Sequence, residues 1–317
     1  MYRQLNLKSP EHLAHRIGVP LSLIESVIAD KGKHYHPKPM VTTLGKEPRP
    51  IVLIDAVAKP ILEKINKLFQ TGLDHPPYMH GGLKGKTIHS NARPHIKAEF
   101  VLKLDIRKFF PSITPAMVIN ALAKHCGFST TTAHVVADLA TYEGKLITGS
   151  PASTIIASLV IREGTERIYG LVHQRGGQMT VFVDDLTISG GRHLAAVEDT
   201  CVLWLEETGV KVNEKKRIRT SGPLASKIIT GVDISHGVDA PRGFRRGVQA
   251  LCHRLDVRAK SGIQPSDNER AVLRGKLNHL RQLNPGMAKL YSKRFRHLLD
   301  GSIAVENPEQ QMISKDH

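Results

Sequence analysis

The sequence predicts an α+β fold in which an antiparallel sheet presents carboxylates at its strand ends and a basic helical segment follows. Three observations point there. Residues 100–105, Phe-Val-Leu-Lys-Leu-Asp, read as a buried strand ending on Asp105. Residues 179–189 are β-branched and apolar on both sides of Asp184-Asp185, the pattern of a strand, a tight turn and a strand. From Arg242 to Arg296, fourteen Lys and Arg are opposed only by Asp256, Asp267 and Glu269, on a chain whose net charge is +16. An excess of that size implies a polyanionic partner, nucleic acid foremost.

With 317 residues and 40% hydrophobic content, the chain can bury a substantial core and is expected to form two or three subdomains. No apolar run approaches the roughly 18 residues of a membrane span, so no membrane partner is expected. Lys8, Glu11, His12, His15 and Arg16 interrupt any apolar leader at the N-terminus. Cys126, Cys201 and Cys252 are odd in number and widely spaced, which reads as reduced thiols in a cytoplasmic protein.

Taken in order, residues 11–30 predict a helix pair broken at Gly18-Val19-Pro20. Residues 34–55 predict a hairpin about the turn Gly45-Lys46-Glu47-Pro48. Ile61, Leu62, Ile65, Leu68 and Phe69 lie at helical spacing. After the strand to Asp105, Thr114-Pro115 supplies a cap and a first-turn proline for a helix to about His125. Helices are expected at 130–142, as one long element at 152–174, and at 194–208, where Trp204 reads as core. A hairpin-like stretch follows at 210–235, and helices from 242 onward.

A strand ending in a carboxylate, then helices, then a strand–Asp-Asp–strand unit is what the palm of a polymerase requires. Phosphoryl transfer by two metals needs carboxylates converging from adjacent strands on ions about 3.5–4 Å apart. Three clustered carboxylates repel one another unless cations separate them. Alone, Asp184-Asp185 would be an ordinary acidic turn; the second strand-end Asp105 is what distinguishes it.

The motifs then resemble a known family. Leu104-Asp105-Ile106-Arg107-Lys108-Phe109-Phe110-Pro111-Ser112-Ile113 is similar to the first catalytic motif of bacterial reverse transcriptases. Phe182-Val183-Asp184-Asp185 resembles their Y-x-D-D turn, and Leu146-Ile147-Thr148-Gly149-Ser150-Pro151-Ala152-Ser153 their L-P-Q-G-x-P-x-S motif. Asn213-Glu214-Lys215-Lys216 and Leu273-Arg274-Gly275-Lys276-Leu277-Asn278 resemble the late palm and thumb motifs. Asn91-Ala92-Arg93-Pro94-His95 matches the N-A-x-x-H signature of retron reverse transcriptases, and Ile229-Thr230-Gly231 resembles their V-T-G.

The resemblance implies a right-hand polymerase fold (fingers, palm, thumb) with an antiparallel palm sheet and a helical basic thumb. Residues 1–30 would be a helical extension, 31–98 fingers, 99–235 palm with part of the fingers inserted at about 127–150, and 236–317 thumb. It implies Asp105, Asp184 and Asp185 as catalytic, and these with Ile106 as the site of two Mg²⁺. Lys46, Arg49, Phe110, Thr148, Gly149 and Lys216 would meet the incoming dNTP, Phe110 as a steric gate against ribonucleotides. Asn91, Ala92, His95, Ile229, Thr230, Gly231, Arg245, Arg246, Arg274 and Lys276 would bind RNA. A retron enzyme copies its own structured non-coding RNA into a branched RNA–DNA hybrid (msDNA), commonly in anti-phage defence beside an effector protein. Group II-intron-like, diversity-generating or phage-exclusion reverse transcriptases, and an inactive RNA-binding polymerase scaffold, stand as alternatives.

The chain departs from the pattern at Phe182, where the family has Tyr, and at Ile147 and Thr148, where it has Pro and Gln. The first loses a hydroxyl near the primer terminus; the last bears on nucleotide affinity and fidelity. The loop from Gly81 to Thr87 lacks phosphate-loop spacing and is expected to touch nucleic-acid backbone. His34, His36, His75 and His80 lack metal-ligand spacing and are expected at the surface or facing RNA.

Overall fold

The structure, a computed structural model, describes residues 3–40, 49–222 and 225–300. The chain folds as two compact units, Met1–Thr230 and Gly231–His317.

The first unit opens with α1 (Pro10–Ile17) and α2 (Leu21–Ala29), separated at the expected break. The Ser9 hydroxyl accepts from the His12 amide at the start of α1, and Gly18 closes it with φ 61°. The short α3 (Lys31–His34) leads into β1 (Tyr35–Met40), which pairs antiparallel with β2 (Arg49–Ile54) as the hairpin reading predicts. The turn between them, with Lys46, lies outside the described residues. In α4 (Ala58–Gly72) the predicted stripe Ile61, Leu62, Ile65, Leu68 and Phe69 is buried throughout.

Next come α5 (Ile88–Ala92), β3 (Phe100–Asp105), α6 (Phe109–Ser112), α7 (Pro115–Cys126), α8 (Thr130–Ala140), β4 (Thr141–Tyr142) and β5 (Lys145–Leu146). The unit continues with α9 (Ser153–Val160), α10 (Arg162–Gln174), β6 (Gln178–Phe182), β7 (Asp185–Gly190), α11 (Glu198–Glu206), β8 (Ile218–Ser221) and β9 (Ile228–Ile229). As predicted, the Thr114 hydroxyl caps α7, accepting from the Met117 amide.

A four-stranded sheet in the order β6-β7-β3-β8 organises this unit. Its register puts Leu104 opposite Leu186 and Leu102 opposite Ile188, while Val181 and Met179 face the same pair from β6. All six are buried and form the core side of the sheet. Because side chains alternate along a strand, Lys103, Asp105, Thr180, Asp185, Thr187 and Ser189 share the opposite, polar face.

Four expectations need correction. The long helix at 152–174 is broken at Ile161 (φ −87°, ψ 1°), which re-aims α10 so that Gly164 backs onto α11. A Cβ on Gly164 would sit 2.4 Å from the Trp204 carbonyl oxygen. The segment 194–208 begins as a 3-10 turn over Arg192–Val197 and is α-helical only from Glu198. Trp204 is half-buried rather than core, with the Arg167 guanidinium 4.4 Å from its ring centroid. Nor is 210–235 a simple hairpin, since β8 joins the central sheet beside β3.

The second unit contains β10 (Val232–Asp233), α12 (Arg242–Lys260), α13 (Asp267–Leu283), α14 (Pro285–Arg294) and α15 (Arg296–Asp300). Val248, Cys252 and Leu255 of α12, Leu273, Leu277, Leu280 and Leu283 of α13, and Leu298 of α15 are buried. Ser266 and Glu269 form a capping box at the start of α13. Asp239 accepts from Arg245 Nη1 at 2.6 Å and Asn284 Nδ2 at 2.8 Å. Among the described residues no helix is long and apolar enough to cross a membrane.

Glu198, 3% exposed, takes one arginine on each carboxylate oxygen, Arg217 and Arg219, and so clamps the strand β8 to α11. Removing a buried carboxylate leaves its partners' charge uncompensated. Glu198→Ala is expected to lower the unfolding free energy by about 3 kcal/mol in urea titrations.

Candidate active site

Strand register builds the site. In the β3–β7 pair Asp105 stands opposite Asp185, and the Ile106 amide continues the ladder by donating to the Asp184 carbonyl at 3.0 Å. In the β6–β7 hairpin Phe182 pairs with Asp185, so Val183 and Asp184 alone form the turn. Val183 lies in the left-handed region, φ 61°. A two-residue hairpin turn demands positive φ at its first position, and a β-branched residue resists it. Asp105, Asp184 and Asp185 thus meet at one end of the central strand pair.

The surroundings act on these carboxylates unequally. Asp105 is 7% exposed. Its Oδ2 accepts from Asn213 Nδ2 at 3.0 Å, its Oδ1 from Lys216 Nζ at 2.7 Å, and its carbonyl from the Asn213 amide at 2.7 Å. Burial pushes Asp184 above the ordinary carboxylate range, and the neighbouring charge of Asp185 adds to the shift. Asp185 is raised likewise, by burial and by Asp105, against the opposing pull of Lys103. Hard oxygen donors that repel one another suit a hard divalent cation. Lys216 supplies one positive charge there already. Among the described residues no group of three His, Cys, Asp or Glu is pre-arranged around a cation.

The residues expected at the nucleotide converge from two elements. The Val52 amide on β2 donates to the Thr148 carbonyl at 3.1 Å, which brings Thr148-Gly149 against the strand that begins at Arg49. Gly149 adopts φ 103°, open only to glycine without strain. Phe109 is buried and Phe110 half-buried, their ring centroids 5.5 Å apart.

The residues expected to bind RNA divide. Asn91, Ala92, His95 and Ile229 have no exposed surface, which corrects the expectation of direct contact. His95 Nδ1 lies 2.6 Å from Ser189 Oγ and Nε2 2.8 Å from Thr180 Oγ1, so one ring spans both strands of the hairpin. Burial lowers its pKa to about 3, which keeps it neutral. Asn91 Nδ2 donates to Thr230 Oγ1 at 3.3 Å. Arg245 is turned inward to Asp239. Arg246 and Gly231 are exposed, as is Arg274, which donates to the Leu299 carbonyl. Lys276 Nζ lies 5.5 Å from the centroid of the Phe244 ring.

Residues 36–234 match the family described as Reverse transcriptase (RNA-dependent DNA polymerase). The chain belongs to the reverse transcriptase family. Retron Se72 reverse transcriptase of Salmonella heidelberg (strain 579083-10) is 29% identical over 73% of this chain and 62% of its own length. Retron Mx65 reverse transcriptase of Myxococcus xanthus is 30% identical over 74% of this chain and 58% of its own. For Retron Ec86 reverse transcriptase of Escherichia coli the identity is 30%, covering 61% and 60%. The chain spans about three fifths of the length of these curated relatives.

Within this reverse transcriptase fold, the support behind the acidic turn has no counterpart among the sequence expectations. Residues Tyr78 to Gly81 run beside β6, with the Val181 amide donating to the Tyr78 carbonyl and the His80 amide to the Val181 carbonyl, both at 2.8 Å. Gly81 sits directly against the turn. His80 is buried and bonded to Ser90 Oγ, and His34 is buried against Asp55, so neither is the surface histidine expected. A run of glycines before a lysine-rich stretch could have suggested close backbone packing as readily as phosphate contact.

Raised carboxylate pKa values mean that Asp184 and Asp185 hold protons more readily in the folded chain than in the unfolded one. Their contribution to metal-free stability therefore falls as pH rises above the ordinary Asp value of 3.8 through the raised values of Asp184 and Asp185. At pH 7 in EDTA, Asp184→Asn should raise the urea midpoint; in the unaltered chain, added Mg²⁺ should raise it too. Midpoints that move in neither case would contradict a repulsive cluster.

Proposed function

We propose that the chain is an RNA-directed DNA polymerase of the retron type, copying a cognate structured non-coding RNA into a branched RNA–DNA hybrid (msDNA). It would serve anti-phage defence in the cytoplasm beside a separate effector protein. The observation that carries the polymerase reading is the pairing of Asp105 with Asp185, with Asp184 on the turn between β6 and β7. The retron assignment is supported by the Asn91–His95 and Ile229–Gly231 motifs and by the retron reverse transcriptases among the relatives.

In this reading residues 31–98 are fingers, 99–235 palm and 236–317 thumb. Asp105, Asp184 and Asp185, with the Ile106 position, would hold two Mg²⁺. These ions would activate the attacking hydroxyl and balance charge on the leaving pyrophosphate. The chain's own groups orient the reactants. Thr148 and Gly149 line the nucleotide beside Arg49 and Lys46. Lys216, released from Asp105, offers its ammonium to the phosphates. Phe110 lies beneath the sugar and excludes a 2′-hydroxyl. Arg246, Arg274 and Lys276 neutralise RNA phosphates along the basic second unit.

Incubation with the neighbouring non-coding RNA, Mg²⁺ and dNTPs should yield a branched RNA–DNA product that Asp184→Asn abolishes. Tight RNA binding by the unaltered chain without DNA synthesis would overturn the enzyme reading. Phe110→Ala should raise ribonucleotide incorporation in competition assays, and unchanged sugar discrimination would remove Phe110 from that role. Raising salt from about 50 to 200 mM should weaken RNA binding by orders of magnitude if many phosphates are neutralised.

A further inference from the structure

We infer that Gly81 and His95 are positioning residues that hold the Phe182–Asp185 turn at the height and register needed for Asp184 and Asp185 to meet Asp105. The inference rests on the polymerase reading and extends it to residues that touch neither substrate nor cation.

The first anchor lies under the turn. Strand β6 is at the edge of the central sheet, and residues 78–81 cover that edge. Met79 forms a parallel bridge with Val181, and the His80 and Gly81 amides both donate to the Val181 carbonyl, at 2.8 and 3.3 Å. This leads Gly81 onto the turn itself. A Cβ on Gly81 would fall 2.1 Å from the Val183 nitrogen and 2.9 Å from the Phe182 carbonyl carbon. Both are backbone atoms and cannot swing aside. The next residue is wedged from the other side, since a Cβ on Gly82 would lie 2.4 Å from Thr154 Cγ2 on α9. Two glycines thus fill the gap between the acidic turn and α9, and the turn rests on backbone. That support is placed where Val183 takes its disfavoured left-handed conformation.

The second anchor crosses the strands. The chain passes through α5 and returns over the polar face of the sheet, where His95 reaches Thr180 on β6 and Ser189 on β7. The Thr180 hydroxyl donates to the Asn91 carbonyl at 3.4 Å. It therefore accepts from Nε2–H of His95, which leaves Nδ1 to accept from the Ser189 hydroxyl. A neutral ring in one tautomer satisfies all three groups, so the ring reads the relative register of β6 and β7. A slip of one residue would send the hydroxyls, and with them the acidic pair, to the other face. Asn91 Nδ2 carries the network on to Thr230 Oγ1. The two signature motifs therefore meet behind the turn, inside the protein.

The test uses the full chain with a primer–template, comparing Gly81→Ala, His95→Leu and His95→Gln with the unaltered protein. It measures kcat and KM for dNTP, Mn²⁺ binding by electron paramagnetic resonance without nucleotide, and the thermal midpoint. Gly81→Ala and His95→Leu should lower kcat by about 10- to 100-fold, with KM for dNTP nearly unchanged. Mn²⁺ binding should weaken by about ten-fold, the scale seen when groups behind metal ligands are altered. His95→Gln, which keeps a donor and an acceptor, should recover part of both losses. If Gly81→Ala fails to fold, the two His95 variants decide alone. Variants that lose thermal stability yet keep unaltered kcat and Mn²⁺ binding would overturn the inference, because the residues would then serve only the fold. Should the unaltered chain make no DNA, the polymerase reading fails, while the Mn²⁺ arm still tests the positioning role.

Discussion

Asp105 and Asp185 face each other across a hydrogen-bonded strand pair, with Asp184 one residue away on the turn, and much of the first unit can be understood from that enforced proximity. Burial first, and the like charge of a neighbouring carboxylate after it, raises the pKa of Asp184 and Asp185, and the folded chain carries that penalty. It is offset elsewhere. The reverse face of the same strands is wholly apolar, so Leu102, Leu104, Leu186 and Ile188 supply burial in the register that brings the carboxylates together. Moving any strand by one residue would expose those side chains and bury the acids, so the hydrophobic face and the chemical face specify each other.

Polar residues in this unit therefore play two separate parts. Asn213 and Lys216 touch Asp105, the amide by a hydrogen bond and the ammonium by balancing its charge. His95, Thr180, Ser189 and Asn91 touch no acidic group; their hydrogen bonds tie β6 to β7 and to the segment over them. Buried polar networks of this kind define one arrangement among several close-packed ones, because any other leaves donors or acceptors unmet. The motifs that mark the chain as similar to retron enzymes fall largely in the second group. Asn91, Ala92, His95 and Ile229 of these motifs are buried, whereas Gly231 is exposed.

Elements with strong periodicity were legible from residues alone. The stripe of α4, the Thr114-Pro115 start of α7 and the strand–turn–strand around Asp184 each follow from local chemistry, and the structure has them where expected. The acidic site was legible because strand ends and tight turns are local features. What escaped was tertiary. No local signal breaks the apolar run at Ile161; the break comes with the close approach of Gly164 to the Trp204 carbonyl. The role of Gly81 depends on a segment far along the chain, and glycine by itself signals freedom as well as contact. His95 reads as an RNA ligand from its place in the N-A-x-x-H motif and Arg245 from the basic segment; His95 is satisfied inside the protein, while Arg245 is half-buried and paired with Asp239.

If the three carboxylates form one cation-binding centre for phosphoryl transfer, the ions themselves should be visible there. Anomalous diffraction from crystals soaked in Mn²⁺ with primer–template and a non-reactive dNTP tests this most directly. Two peaks about 3.5–4 Å apart are expected, bounded by Asp105, Asp184 and Asp185, with Lys216 moved off Asp105. Metal density elsewhere, or none at these carboxylates while nucleotide is bound, would contradict it.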